Sequence, residues 1–119
     1  MSEYKLVIVV REDLGISVGQ IAAQAVHAAV EILLAPFMTD MGCADRTVFQ
    51  WHDNPVVVVL GCKTEKELYD IAKKAKENDF PQYIWRDTIH GKHMATCLAI
   101  GPDRSDEIDQ IIKEMELFA

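Results

Sequence analysis

The sequence predicts an α/β protein of three-layer α/β/α architecture, with a mixed, mostly parallel four-stranded sheet between the helices. Residues 5–10 and 56–62 are continuous apolar runs rich in β-branched residues, which is typical of strands covered on both faces. Segments with helical spacing alternate with these runs, and crossovers of that kind favour a parallel core with right-handed connections. The chain has 119 residues and half are hydrophobic, so we expect a single domain over 1–119.

A long helix is predicted over 17–35, directly after the first strand. Ser17 and Gln20 have capping-box spacing at its start, and Pro36 predicts its end. The helix is apolar on two faces, which indicates that it is buried. A narrow polar stripe runs between these faces: Gln20, Gln24, His27 and Glu31. Polar groups on a buried helix need a cleft, a partner or internal hydrogen bonds, so a functional role and simple hydrogen bonding to backbone both remain open for Gln24 and His27.

The remaining elements alternate in the same manner. Their predicted order is a short helix at 45–52, a strand at 56–62, a helix opened by the Thr64–Glu67 capping box, strands at 83–86 and 95–100 joined by a loop over 87–94, and a last helix from Asp103 or Ser105. The short link between the third and fourth strands allows the chain to reverse, which predicts a mixed sheet.

Composition narrows the class of protein. The net charge of −7 counts against a dominant nucleic-acid role, although a local basic patch is compatible with it. Three widely spaced cysteines, Cys43, Cys62 and Cys97, indicate neither a disulfide frame nor a zinc ribbon and suit a reducing compartment. The N-terminus has no signal pattern, and no apolar run approaches the roughly 20 residues of a membrane span. We therefore expect a soluble, cytoplasmic protein without membrane association.

Asp87 is the strongest candidate for chemistry. It stands at the end of the predicted third strand, beside Arg86, and a carboxylate facing His27 there would position or deprotonate a water molecule. The alternative is structural, because such an aspartate also caps loops or pairs with a neighbouring arginine. Both interpretations of Asp87 remain open on the residues alone.

Metal and nucleophile chemistry have weaker signals. His90 and His93 flank a turn near Thr96, but a metal site needs at least three converging ligands, so we expect no metal. No serine or cysteine lies in a nucleophile-elbow motif, and Cys97 falls in the middle of a predicted strand, where core packing is expected.

Three segments carry a family resemblance. The first strand ends V-V-R-E-D-L at residues 9–14, the long helix contains A-A-Q-A-V-H-A-A at 22–29, and the fourth strand reads T-C-L-A-I-G-P at 96–102. Trp51 precedes the second strand, and Asp87 occupies a strand-end position. This pattern resembles the type-two peptidyl-tRNA hydrolases, the archaeal and eukaryotic class, whose motifs read V-V-R-x-D-L, A-A-Q-x-x-H-A-A and T-x-L-G-I-G-P.

The resemblance implies an enzyme that cleaves the ester between peptide and tRNA with water, without a cofactor, and so recycles tRNA. It implies catalytic roles for Asp87, His27 and Gln24, with the first two activating water and Gln24 or a backbone N–H steadying the oxyanion. The residues expected to contact peptidyl-tRNA are Gln20, Arg86, Lys92 and Thr96. The family is commonly dimeric, which makes a homodimer through the aromatic residues at 49–51 a further expectation.

The chain departs from the family pattern at its cationic positions. The family's G-K-G-K at the start of the long helix is replaced by Ser17-Val18-Gly19-Gln20, and the segment at 87–94 is about three residues shorter than the family's D-A-G-R-T-Q-I-A-P-G-T. Lost lysines weaken contacts to phosphate. Two functions therefore remain open: a divergent hydrolase, or a catalytically inactive relative that binds a protein or small ligand.

Overall fold

The computed structural model describes residues 3–38, 46–115 and 117–118. The elements in chain order are β1 (Tyr4–Arg11), α1 (Val18–Met38), α2 (Arg46–Asp53), β2 (Val56–Cys62), α3 (Glu65–Glu77), β3 (Gln82–Ile89), β4 (Lys92–Arg104) and α4 (Ser105–Ile112). The predicted order of strands and helices is confirmed. Cys43, the first of the three cysteines, and Asp45 lie outside the described residues.

The four strands form one open mixed sheet in the order β2-β1-β4-β3. β1 pairs with β2 in parallel, whereas β4 runs antiparallel to both β1 and β3. The prediction of a mostly parallel sheet is therefore wrong, although the sheet is mixed as expected. The reason is local: β4 folds directly back on β3 and inserts between β3 and β1, so the two strands joined by the second crossover point the same way without being neighbours.

The turn between β3 and β4 explains this topology. His90 and Gly91 both have positive φ, 51° and 81°, and Ile89 pairs with Lys92 across them. Two-residue turns with positive φ match the twist of a hairpin, and glycine favours them. The predicted loop over 87–94 is therefore wrong, because all but these two residues belong to paired strands. Asp87 lies inside β3, two residues before its end.

Two clusters of buried side chains flank the sheet. Alternate residues of β1 supply them, because successive side chains of a strand point to opposite faces. One cluster joins Val7 and Val9 to side chains of α3, α4 and β4, among them Leu68, Leu98 and Ile108. The other joins Leu6, Ile8 and Val10 to Ala28 and Ile32 of α1 and to Cys97 and Ala99 of β4.

Helix α1 is buried on one face. Gln24, Ala28 and Ile32 are buried, but Val26 on the second apolar face is 60% exposed. The expectation of a helix buried nearly all round is therefore wrong, since the sheet covers one side of it. Pro36 lies inside the helix, in its last turn, rather than ending it. The fixed φ of proline is compatible with a helix, and the ring removes one backbone hydrogen bond.

At 21 residues, α1 is long and apolar enough to pass a length-and-composition test for a membrane span. The expectation that no apolar run approaches that length is therefore wrong. The core helix of a soluble protein is as long and apolar but mostly buried, whereas 17% of this segment is buried. Gln24 is a buried polar residue on the face that packs against the sheet.

Candidate functional site

The candidate site lies at one edge of the sheet. β1, β2 and β3 point in the same direction and end at this edge, β4 begins there, and α1 starts just after β1. Ligands of open α/β sheets are commonly held at the carboxyl ends of the strands. The topology thus brings the first half of α1 to the final residues of β3 and the first residues of β4.

Gln24 connects the two strands at this edge through its side-chain amide. Its Nε2 donates to Asp87 Oδ2 at 3.0 Å, and its Oε1 accepts from Thr96 Oγ1 at 2.7 Å. Gln24 is 7% exposed and Thr96 is 1% exposed. Because a hydroxyl donates at one end of the amide and a carboxylate accepts at the other, the orientation of the amide is determined. We call these three residues the Gln24 network.

A β-bulge in β4 directs Thr96 towards α1. Trp85 pairs with Cys97 and Arg86 pairs with Ala95, so Thr96 is an extra residue without a partner in the ladder. In a regular strand Ala95 and Cys97 would share a face, but they belong to the opposite clusters of the core. The bulge thus lets Thr96 and Cys97 point to the same side, and bulges commonly redirect side chains in this way near functional sites.

The Asp87 carboxylate is held in its ionised form. The hydrogen bond from Gln24 lowers the pKa of Asp87, and a second bond, from the backbone N–H of Thr88 at 2.8 Å, acts in the same direction. The charges of His27 and His93 make smaller contributions of the same sign. Asp87 is partly exposed. An ionised, partly exposed carboxylate with fixed orientation can accept a proton from a water molecule.

His27 and Trp85 form an aromatic pair beside the network. Their rings are parallel within 8° and their centroids are 4.3 Å apart. His27 lies one helical turn after Gln24, and Trp85 shares a face of β3 with Asp87 because the two are two residues apart. Trp85 was not among the residues predicted from the sequence. Its spacing of two residues from Asp87 was the signal that could have found it.

Three other predicted site residues have different surroundings. The side-chain Oε1 of Gln20 accepts from the backbone N–H of Ser17 at 2.9 Å, and the backbone N–H of Gln20 donates to Ser17 Oγ. These two bonds confirm the capping box, so the side chain of Gln20 is hydrogen-bonded at the start of the helix. Arg86 donates to the hydroxyl of Tyr69 on α3 at 3.3 Å. Lys92 is exposed in the hairpin. Among the described residues, no ion pair joins Arg86 to Asp87, since neighbouring residues of a strand face opposite sides of the sheet.

The V-V-R-E-D-L segment ends in a structural ion pair. Arg11 is buried, and its Nε and Nη2 donate to the two carboxylate oxygens of Asp13 at 2.9 and 2.8 Å. Its Nη1 donates to the carbonyl of Ala95 at 2.8 Å. The bidentate pair raises the pKa of Arg11 and lowers that of Asp13. Arg11 therefore fixes β4 at the residue just before the bulge.

Nucleophile and metal chemistry find little support in the geometry. Cys97 is buried in the core, and burial raises the pKa of its thiol to about 12, which disfavours the reactive thiolate. Within residues 3–38, 46–115 and 117–118, no group of three or more His, Cys, Asp or Glu side chains could hold a metal ion. His90 Nε2 lies 2.9 Å from the carbonyl oxygen of Leu14.

A separate groove of about 480 Å³ lies on the far side of the sheet, between α3 and α4. Its lining combines apolar residues such as Ile71 and Ile111 with charges of both signs, and it contains no member of the Gln24 network. Several of these charges already have partners: Asp70 accepts from Lys66, and Glu67 accepts from the backbone N–H of Lys63. The chemistry is therefore better supported at the Gln24 network.

Replacing Thr96 by valine tests the strength of the Gln24 network. Valine keeps the branched shape but leaves the buried Oε1 of Gln24 without its donor, and we expect the free energy of unfolding to fall by about 1–3 kcal/mol. Thr96→Ser keeps the hydroxyl and serves as the matched control. Urea denaturation of both variants measures the difference. Equal stabilities for the two variants would show that the hydroxyl contributes nothing.

Comparison with known proteins identifies the family. The family model described as peptidyl-tRNA hydrolase PTH2 matches residues 4–118. A peptidyl-tRNA hydrolase of Methanopyrus kandleri is 37% identical over 119 residues, covering 97% of this chain and 98% of the relative. The same name is carried by relatives from Methanocaldococcus jannaschii, at 35% identity with 96% and 99% covered, and Halobacterium salinarum, at 37% with 96% and 99% covered. The chain therefore belongs to the PTH2 family of peptidyl-tRNA hydrolases.

Proposed function

We propose that this protein is a peptidyl-tRNA hydrolase, which cleaves the ester between a peptide and the 3′ ribose of tRNA and so recycles the tRNA. The observation that carries the proposal is the Gln24 network, which holds an ionised carboxylate in fixed orientation at the edge of the sheet. Membership of the PTH2 family gives the substrate class. The activity for which the relatives are named supports the same reaction.

In the proposed mechanism Asp87 accepts a proton from a water molecule as its oxygen attacks the ester carbonyl. The carbon–oxygen bond to the ribose then breaks, and the ribose oxygen takes the proton from Asp87. The products are free tRNA and a peptide with a new carboxylic acid, which releases its proton to solvent. Gln24 is a positioning residue that acts through Asp87, and Thr96 holds Gln24 in turn. A role for Gln24 as oxyanion donor would use the second hydrogen of its amide nitrogen.

Substrate contacts are proposed with fewer cations than the family pattern contains. Val18, at a position where the family has lysine, is 80% exposed and uncharged. Lys92 begins β4, the strand that carries Thr96, and is the cation we propose for the phosphate backbone. Arg86 faces Tyr69, and Gln20 caps α1, so both are proposed to contact RNA only at the margin of the site.

The dependence of kcat on pH tests the role of Gln24. Because Asp87 must be ionised to accept a proton, kcat falls as the pH drops through the Asp87 pKa. The hydrogen bond from Gln24 is the largest cause that lowers this pKa. Gln24→Met removes that bond at similar volume, so we expect the acidic limb of the kcat profile to move to higher pH. Gln110→Met, an exposed change on α4, is the control. An unmoved limb in Gln24→Met would contradict the assignment.

The second candidate function is a binding module without hydrolysis, which the net charge of −7 and the replaced lysines favour. Two measurements separate it from the enzyme. The hydrolase should release free tRNA from peptidyl-tRNA, and its affinity for tRNA should fall steeply as salt rises, because phosphate contacts release counterions. An affinity for tRNA that does not change with salt concentration, together with an absence of tRNA release, would favour the binding module.

The same proposal includes the layers of the domain, a homodimer and a cellular location. The two core clusters support a three-layer description, with α1 on one side of the sheet and α3 and α4 on the other.

A homodimer is proposed through an exposed apolar patch. In this patch the rings of Phe37 and Phe49 meet edge to face, with 5.8 Å between their centroids. Sedimentation over a range of concentrations measures that association. A cytoplasmic location follows from the proposed substrate, and cell fractionation would test it.

A further inference from the structure

The stacked pair of His27 and Trp85 has a geometry suited to binding a flat ring. The imidazole lies flat on the indole, at 4.3 Å between centroids and 8° between planes. The indole covers one side of the imidazole, and His27 as a whole is exposed. The pair therefore offers a small aromatic surface that is supported from behind and open in front.

The contacts of the two side chains favour stacking over proton transfer. Within the described part of the chain, no hydrogen bond orients the imidazole of His27 as a base, whereas Gln24 orients the carboxylate of Asp87. The indole Nε1 of Trp85 is buried and has no hydrogen-bond partner among the described residues. Burying an unpaired donor costs free energy, so the stack rather than a hydrogen bond accounts for the position of this indole.

The position of the stack relative to Asp87 matches a single nucleotide. Gln24 and His27 are three residues apart on α1, which puts their Cβ atoms about 5–6 Å apart on the helix surface. Gln24 donates to Asp87, and Trp85 lies two residues before Asp87 on β3. A nucleoside whose base lies on His27 would therefore bring its ribose, and an ester on that ribose, next to the Asp87 carboxylate.

We propose that the exposed face of His27, supported by Trp85, stacks the adenine of the 3′-terminal adenosine of the substrate. The inference rests on the proposed function, because it takes the ester-bearing nucleoside as the ligand. Bases of single-stranded RNA are commonly bound by stacking on aromatic side chains, including histidine. The surface binds the substrate through its flat face and thereby orients the ester towards Asp87, and no proton passes through the imidazole.

Steady-state kinetics with two histidine variants test the proposal. His27→Phe keeps a flat ring and removes the titratable nitrogens, and His27→Ala removes the surface. With peptidyl-tRNA ending in adenosine, we expect His27→Ala to raise KM about tenfold and to leave kcat within a fewfold, as expected for the loss of one stacked base. His27→Phe should restore the KM of the unaltered protein. His52→Ala, an exposed histidine on α2, is the matched control.

A substrate ending in cytidine provides the specificity readout. The smaller base stacks more weakly, so the unaltered protein should prefer adenosine, and His27→Ala should lose most of that preference. A kcat that falls by about 100-fold or more in both His27→Ala and His27→Phe would show that the imidazole transfers protons and would overturn the proposal. An adenosine preference unchanged in His27→Ala would overturn it as well.

A binding assay without turnover separates this inference from the proposed function. Adenosine monophosphate stacked on His27 should shift the NMR signals of the His27 ring protons upfield, and His27→Ala should weaken the binding of adenosine monophosphate about tenfold. If the unaltered protein hydrolyses neither substrate yet shows this shift, the hydrolase assignment fails and the stacking surface stands. If adenosine monophosphate leaves the His27 ring signals unmoved in the unaltered protein, the stacking surface is wrong, whatever the hydrolysis assay reports.

Discussion

Asp87→Asn lowers kcat for peptidyl-tRNA hydrolysis by about 100- to 10,000-fold, the usual contribution of a general base. Asparagine has nearly the shape of aspartate, and its carbonyl oxygen can still accept from Gln24 Nε2 or from the N–H of Thr88. It cannot take a proton from water. The loss should therefore fall on kcat, with circular dichroism showing the same fold. Since asparagine keeps one acceptor oxygen, one of the two hydrogen bonds is lost, and we expect a small fall in stability, of the size that one hydrogen bond contributes. Asp87→Ala should lose activity to the same extent.

Asp103 provides a matched control for this experiment. Its Oδ1 accepts from the backbone N–H of Arg104 at 2.8 Å, as the Oδ1 of Asp87 accepts from Thr88, but it lies at the other end of β4. Asp103→Asn should hydrolyse peptidyl-tRNA at the rate of the unaltered protein. Unchanged turnover in Asp87→Asn, measured beside this control, would remove Asp87 from the mechanism.

Gly101→Ala lowers the free energy of unfolding by about 3 kcal/mol, which combines a strained backbone with a steric clash. Gly101 has φ of +97°, a region that residues with a Cβ rarely adopt. A Cβ there would lie 2.9 Å from the carbonyl oxygen of Lys5 and 3.0 Å from the backbone nitrogen of Asp103. Both neighbours are backbone atoms of the β1–β4 pairing, so the strands themselves would have to shift.

Gly91→Ala separates the two contributions. Gly91 also has positive φ, +81°, but a Cβ at this position in the hairpin turn would meet no other atom within 4 Å among the described residues. Alanine at this position bears the conformational cost alone, and we expect a loss of about 1 kcal/mol. Urea denaturation of both variants gives the comparison. If Gly91→Ala proves as destabilising as Gly101→Ala, the clash with β1 is not the cause.

The order of the elements could be predicted from the sequence, whereas the position of β4 could not. Apolar runs such as 56–62 and the capping box at Ser17 and Gln20 are local signals, and the structure contains the elements they indicate. The pairing of β4 with β1 depends on a two-residue turn at His90 and Gly91, and a Gly-containing segment of mixed polarity is compatible with a loop as well as with a hairpin.

The candidate site shows the same division between local and long-range information. Gln24 and Asp87 could be predicted as site residues, because a polar residue on an apolar helix and an acid near a strand end are visible in the sequence. The bulge that directs Thr96 towards Gln24 has no sequence signal, since it arises from pairing between two strands. Arg86 was assigned to Asp87 by adjacency, but alternation along a strand places adjacent side chains on opposite faces.

The burial of α1 could not be predicted from the periodicity of its apolar residues alone. The distribution of apolar residues around the helix predicts burial on two faces, but the sheet provides one covering surface. A second covering surface for Val26 and Phe37 would have to come from a partner.

Hydrolysis of peptidyl-tRNA at the Gln24 network, as proposed above, can be measured directly. The measurement is the release of free tRNA from a defined peptidyl-tRNA under single-turnover conditions at low salt, with the unaltered protein and Asp87→Asn assayed together. We expect complete conversion by the unaltered protein and a rate constant about 100-fold or more lower for the variant. No release of tRNA by the folded, unaltered protein, or equal rates for the two proteins, would contradict the proposal.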